Sequence, residues 1–148
     1  MARVATYLNF MGRTEEAFTF YAGVFGTEFE GPVARMGDNP PDPSGPQFSD
    51  AEKNLVMHVA LPILAGHMLM GTDMVESMGH VLVEGNNVSL NLEPDSREEA
   101  DRLYNALADG GSDCSGMSDM FWGAYWGSLK DKFGIHWMVH YLAPQTDG

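Results

Sequence analysis

The sequence is poor in cysteine, in basic residues and in long apolar runs. Its single cysteine, Cys114, excludes an internal disulfide and a cysteine-based zinc site. Cys114 lies in a Gly/Ser/Asp stretch without a cationic neighbour, so nothing points to a stabilised thiolate. Lys and Arg number 8 against 21 Asp and Glu, a formal net charge of −13 with a pI of about 4.5. That field repels phosphate backbones and anionic membrane surfaces, so neither nucleic acid nor a membrane is expected as a partner; cationic ligands are favoured. Solubility is the plainer reason for the acidity. No apolar run approaches the roughly 20 residues of a membrane span. The stretch Met1 to Tyr7 shows no apolar core of a signal peptide, and a cytoplasmic protein is the expectation.

What is present suits a packed core. The chain has 148 residues, 44% hydrophobic and 20% charged, enough for one domain or for two small modules sharing a core. From Val4 to Phe10, apolar and polar residues alternate as in a strand with one oily face. After Gly12, Thr14 reads as a helix N-cap with Glu15 and Glu16 in the first turn. Ala17, Phe20, Tyr21 and Val24 then recur at helical spacing up to Gly26, a residue suited to ending a helix. Residues 28–36 read as a second strand, and 37–50 form a Pro/Gly/Asp loop. Two further strands follow, Lys53 to Pro62 and His67 to Thr72.

The second half repeats this order. Asn87 to Glu93 alternates as a strand, with Val88, Leu90 and Leu92 on the oily side. Ser96 with Glu99 reads as a capping box, and Ala100, Leu103, Tyr104 and Leu107 form a helical stripe before Gly110. Residues 112–118, 121–130 and 135–142 supply three more strands. The repetition shows in the letters: Glu15-Glu16-Ala17 with Tyr21 matches Glu98-Glu99-Ala100 with Tyr104, each pair 83 residues apart. Leu8-Asn9-Phe10 resembles Leu90-Asn91-Leu92, and Gly66-His67-Met68-Leu69-Met70 resembles Gly134-Ile135-His136-Trp137-Met138. An internal duplication follows. The expected fold class is α+β: one domain over 1–148, built of two tandem βαβββ modules, about 1–75 and 84–148, whose curved mixed sheets surround a pocket.

A duplicated βαβββ unit resembles the vicinal oxygen chelate superfamily, which includes glyoxalases, bleomycin and fosfomycin resistance proteins and extradiol dioxygenases. Three segments resemble its PhnB-like branch: Tyr7-Leu8-Asn9-Phe10 with Phe20-Tyr21-Ala22-Gly23-Val24-Phe25-Gly26; Met57-His58-Val59-Ala60-Leu61 with Leu69-Met70-Gly71-Thr72-Asp73; and Phe121-Trp122-Gly123 with Asp131-Lys132-Phe133-Gly134 and Trp137-Met138. Relatives in this branch are sometimes labelled ubiquinone methyltransferases. The sequence shows no Gly-rich loop leading from a strand into a helix, which an adenosylmethionine-binding fold needs.

In the superfamily a divalent metal sits on the first and fourth strands of each module. The resemblance carries those positions to Ala5, Met70, Asn87 and Met138. Ala cannot ligate, Asn is a weak donor, and a thioether is too soft for zinc, iron, manganese or nickel. No cofactor is therefore expected, and a divalent metal is the alternative. His136 and His140 stand roughly 13 Å apart along a strand and cannot chelate one ion together. Period 2 sends Leu8 and Phe10 under the first helix, and Trp137, Val139 and Tyr141 under the second. It leaves Ala5, Tyr7, Asn9, Met68, Met70, Thr72, Asn91, Met138 and His140 toward the pocket. His58 is either a hydrogen-bonded core residue or the pocket's acid/base group. Asp73 reads as a strand-end cap. Phe121 to Gly127 holds four aromatics, some for the core and others, Trp122 and Trp126 among them, for a pocket or dimer interface. The expected pocket is thus Tyr7, Asn9, His58, Met70, Asn91, Trp122, Trp126 and His140. The expected function is binding of a small organic ligand, cationic or aromatic, in a metal-free pocket of a homodimer, a state implied by the resemblance. The alternative is a metal-dependent lyase, isomerase or dioxygenase; the residues leave open whether any reaction is catalysed.

Overall fold

The computed structural model of the chain describes residues 1–40 and 42–144. Pro41 of the Pro/Gly loop and residues 145–148 of the second module lie outside the described residues. The chain divides into two compact units, Met1–Val83 and Glu84–Gly148.

In the first unit, β1 (Thr6–Phe10) leads into α1 (Thr14–Phe25). β2 (Ala34–Arg35), the short helix α2 (Asp50–Lys53), β3 (Val56–Pro62) and β4 (Met68–Asp73) follow. The strands form a mixed sheet in the order β1-β4-β3-β2, with β1 parallel to β4 and the other pairs antiparallel. The parallel pair is possible because α1, β2 and β3 supply the crossover that two parallel neighbours require. Leu8 and Phe10 on β1, Val59 and Leu61 on β3, and Leu69 on β4 are buried with Ala17, Phe18, Tyr21 and Val24 of α1. This is the core of the unit. Gly71 belongs to it by having no side chain: a Cβ there would lie 2.6 Å from Cε2 of Phe18.

The second unit runs β5 (Leu90–Leu92), α3 (Arg97–Ala108), β6 (Ser118–Asp119), β7 (Ala124–Lys130) and β8 (His136–Leu142). Its sheet, β5-β8-β7-β6, repeats the first, with β5 parallel to β8. Ala100, Leu103, Tyr104 and Leu107 of α3 are buried with Leu92, Leu129, Trp137 and Val139. Gly127 matches Gly71 in purpose: its missing Cβ makes room for Tyr104 and Met117.

The turns before the last strands also match. Ile63 N–H donates to His67 O, and Asp131 N–H to Ile135 O, both at 2.8 Å. Gly66 and Gly134 take φ of +76° and +93° there, a conformation that favours glycine. One difference separates the units. Residues 36–55 join β2 to β3, whereas residues 120–123 suffice between β6 and β7. The repeat spacing therefore drops from 83 residues at the helices to 68 at the Gly66/Gly134 turns.

Several expected boundaries change. Thr14 is not the N-cap: Arg13 holds that position without a side-chain cap, and Thr14 is the first helical residue. Of the expected 28–36 strand only Ala34–Arg35 is strand, Glu30 N–H adding a single bond to Ala60 O, and α2 precedes β3 where strand was expected from Lys53. The fifth strand keeps only Leu90–Leu92, and Val88, expected under the helix, is 73% exposed. Ser96 accepts from Glu99 N–H, but the Glu99 side chain turns to Arg102, so half of the capping box forms. Of 112–118, Ser118 is in β6 and Ser112 makes an isolated bridge to Lys130. β7 begins at Ala124, which leaves Phe121 and Trp122 in a turn. Tyr141 is half-buried, and Met68, expected toward the pocket, is buried. Where an expected strand shortens, its local pattern was compatible with a strand, but only the residues that find a backbone partner keep that form.

Candidate functional site

In the first unit, α1 covers one face of the sheet and leaves the other open. Alternation along β1 and β4 sends Leu8, Phe10, Leu69 and Gly71 toward the helix. Tyr7, Asn9, Met70 and Thr72 stand on the opposite face. The register places Tyr7 beside Met70, and Met70 beside Ala60 of β3. Two residues before Ala60, His58 shares its face. Tyr7 Oη reaches across β4 to within 3.1 Å of His58 Nδ1, with ring centroids 5.8 Å apart at 33°. Three of the expected pocket residues, Tyr7, His58 and Met70, are thus brought together, with Asn9 one register step further. Tyr7 and Asn9 are exposed, and His58 and Met70 half-buried.

The contact constrains the chemistry of His58. With Nδ1 accepting from the phenol, a neutral imidazole carries its proton on Nε2 and presents a donor there; a protonated one donates from Nδ1 and frees the phenol proton. The pair can therefore offer a donor in either state. The Thr72 hydroxyl is spent on the carbonyl of Val56, 3.3 Å away. Asp73, the expected strand-end cap, faces the helix side: its carboxylate is buried and accepts from Thr14 and Val56. It therefore adds no carboxylate to the open face.

In the second unit, Asn91 pairs in register with Met138, Ser128 with Met138, and Trp126 with His140. These side chains share the face opposite α3. Asn91 is exposed, and Trp126, Met138 and His140 are half-buried. His140 Nδ1 lies 3.6 Å from Glu93 Oε1. Trp122 does not join them: it sits in the β6–β7 turn, 53% exposed, edge-on to Phe121 at 5.0 Å. Tyr125 faces α3, where its hydroxyl donates to Asp101 and the Arg97 guanidinium lies 3.7 Å over its ring. The hydrogen bond to Asp101 raises the Tyr125 pKa above the ordinary phenol value.

The positions assigned to a metal by resemblance do not fit one. Ala5 has no donor atom, Met70 and Met138 offer thioethers, and Asn87 lies in an exposed segment outside any strand. Among the described residues no group of three or more His, Cys, Asp or Glu side chains could hold an ion. No helix among them is long and apolar enough to cross a membrane.

Sequence reading missed the Tyr7–His58 hydrogen bond, although it named both residues. It also missed the enclosure formed by the β2–β3 loop. The Pro/Gly/Asp composition of 37–50 named the loop but not the cavity that it lines.

A family model described as 3-demethylubiquinone-9 3-methyltransferase matches residues 2–140. Protein YjdN of Escherichia coli K12 is 29% identical over 149 residues, covering 96% of this chain and 97% of that protein. The crystal structure of PA1353 from Pseudomonas aeruginosa is 32% identical, with a TM-score of 0.80, over 96% of this chain and 98% of that one. The PhnB protein from Bacillus cereus is 25% identical, with a TM-score of 0.72, over 95% and 99% of the two chains. A glyoxalase/bleomycin resistance protein/dioxygenase family enzyme from Burkholderia phytofirmans, 16% identical with a TM-score of 0.60 over 93% and 98%, shares the fold.

Proposed function

The chain belongs to the PhnB-like family whose model matches residues 2–140, and from that premise we propose that it binds a small organic ligand, aromatic or cationic, without a metal ion. The observation that carries this reading is the Tyr7–His58 pair on the open sheet face, with Met70 beside it. A phenol, an imidazole and a thioether on one surface offer a flat aromatic contact, a hydrogen-bond donor and an adaptable apolar floor. The net charge of −13 favours a cation over an anion. Trp126 and His140 on the open face of the second unit add an aromatic and a titratable group of the same kind. His58 is the group placed to hold or move a proton, should the ligand carry one. The protein is proposed to work as a homodimer, as the resemblance implies.

Methyl transfer, named in the family description, is not part of this reading. The β1–α1 connection is Met11-Gly12-Arg13, and the first N–H of α1 is already held by the Asp73 carboxylate. That start does not fit the glycine-rich strand-to-helix turn that holds an adenosyl cofactor. The donor set at Ala5, Met70, Asn87 and Met138 equally argues against chemistry on a divalent ion.

The test has two stages. Purified protein is incubated separately with Mn, Fe(II), Ni and Zn, desalted, and its ions counted per chain by mass spectrometry. The expectation is no retained ion. About one ion per chain, lost in His58→Ala or His140→Ala, would overturn the reading in favour of a metal-dependent lyase, isomerase or dioxygenase. A thermal-shift screen of cationic and aromatic compounds follows, in which hits are expected to weaken in Tyr7→Phe and His58→Ala.

A further inference from the structure

The β2–β3 connection of the first unit, residues 36–55, is an elaboration that the duplicated second unit lacks. Connections this long are uncommon in compact domains, and those that hold a shape are usually functional. This one is ordered by its own hydrogen bonds. Asp42 Oδ1 accepts from Ser44 N–H at 2.9 Å and from the Ser44 hydroxyl at 2.7 Å. Gln47 Nε2 donates to the carbonyls of Asp42 and Gly45, at 3.0 and 3.2 Å. Ser49 and Glu52 close the start of α2 on each other. The ends are tied by Met36 N–H to Leu55 O at 2.9 Å and by the Arg35 guanidinium to Asn54 O at 2.9 Å.

Inside this loop opens a cavity of about 520 Å³. That volume lies within the range of small-molecule sites. Met36, Pro40, Pro46 and Phe48 give it apolar walls, and Asp42 and Lys53 are its charged lining residues. The two charges are not equivalent. Lys53 Nζ has a carboxylate nearby, Asp50 Oδ1 at 3.8 Å. Asp42 pairs with no cation among the described residues. Its partner is the uncharged Ser44, whose hydroxyl and backbone hydrogen bonds lower the carboxyl pKa and keep it ionised. The Gln47 amide is spent on the loop itself. What remains for an occupant is a partly open cavity with apolar walls, an aromatic ring and a carboxylate that no cation pairs with among the described residues.

We propose that this cavity is a binding site, separate from the open sheet face, for a small organic cation with an apolar body. Its charge faces Asp42 and its body rests on Phe48 and Met36. Ring and carboxylate both favour a cation whose hydration is weak, so a quaternary ammonium suits the site better than a primary amine.

The experiment compares choline with its uncharged isostere 3,3-dimethylbutan-1-ol by amide NMR titration of the full chain. Choline is expected to shift resonances of residues 36–53 saturably and to bind about fivefold tighter than the alcohol. Asp42→Asn keeps an acceptor for Ser44, so the loop retains its turn. This variant should weaken choline about fivefold and leave the alcohol unchanged. Phe48→Leu should weaken both probes, choline more. Equal binding of the two probes, or choline binding unaltered by Asp42→Asn, would overturn the proposal. So would shifts confined to Tyr7, Asn9 and His58, an outcome that leaves the sheet-face reading standing.

Discussion

Asp73 closes the start of α1 from the far end of β4: its Oδ1 accepts from the backbone N–H of Thr14 at 3.1 Å and from the Thr14 hydroxyl at 2.7 Å. Oδ2 accepts from Val56 N–H at 2.9 Å. One buried carboxylate thus joins the first helix to two strands, with its charge at the positive end of the helix dipole. Asp73→Ala strands three donors and should lower unfolding stability by about 3 kcal/mol. Thr14→Val removes one hydroxyl bond and should cost about 1 kcal/mol. Urea denaturation measures both, and equal losses would mean that the hydroxyl, not the carboxylate, carries the joint.

The two strand glycines under the helices make a paired prediction. Gly71→Ala places a methyl 2.6 Å from Phe18, which is fully buried, and Gly127→Ala places one 2.7 Å from Met117 Sδ and 2.8 Å from the Gly116 carbonyl. Each should destabilise by about 1–3 kcal/mol through overpacking. Phe18→Leu should relieve part of the Gly71→Ala loss and none of the Gly127→Ala loss, which thermal unfolding of the double variants would reveal.

Asp131 does in the second unit what no residue does at the matching Ile63. Its carboxylate accepts from Phe133 and Ile135 N–H at 2.8 and 3.0 Å, and from the Trp137 indole at 2.8 Å. Asp131→Ala should cost about 3 kcal/mol and reduce the near-ultraviolet circular dichroism of the buried indole. Asp131→Asn, which retains acceptor capacity on one oxygen, should lose less.

Tyr125 carries the clearest pH signature. Its hydrogen bond to Asp101 raises the phenol pKa, because the neutral donor is held and a phenolate would face a carboxylate. The folded pKa lies above the unfolded one, so the contribution to stability is present below the ordinary tyrosine range and is lost as pH rises through the raised value. Spectrophotometric titration should show a late-ionising phase that loses one tyrosine's amplitude in Tyr125→Phe and shifts toward the ordinary range by that amplitude in Asp101→Asn. A late phase undiminished in Tyr125→Phe would overturn the assignment.

Homodimerisation is checked by light scattering after size-exclusion chromatography. The expected mass is twice 16.2 kDa, and a single-chain mass at micromolar concentration would remove the dimer from the proposed function.

Much of the architecture was legible because it was written twice. The stripe Ala17, Tyr21, Val24 and its copy Ala100, Tyr104, Leu107 mark the two helices by period alone. The alternation of Leu8 and Phe10 against Tyr7 and Asn9 named the covered and open faces, because side-chain direction in a strand is a local property. Short edge strands were not legible. Ala34–Arg35 and Ser118–Asp119 exist only where a neighbour offers pairing, and nothing in their own residues marks the two that pair.

What the sequence determined by itself is the class of the fold, the repeated order of elements and the acidic field. All of these rest on composition and on local periodicity. Tertiary structure decided the rest. It set Tyr7 Oη against His58 Nδ1, residues 51 positions apart, and it turned Asp73 toward Thr14 across 59. It also gathered Met36, Asp42, Phe48 and Lys53 around a cavity. Such contacts depend on strand register and loop closure, which join distant segments through backbone hydrogen bonds whose donor only proline lacks. That chemistry is the same along the whole chain, so only the assembled sheet selects which pairs meet.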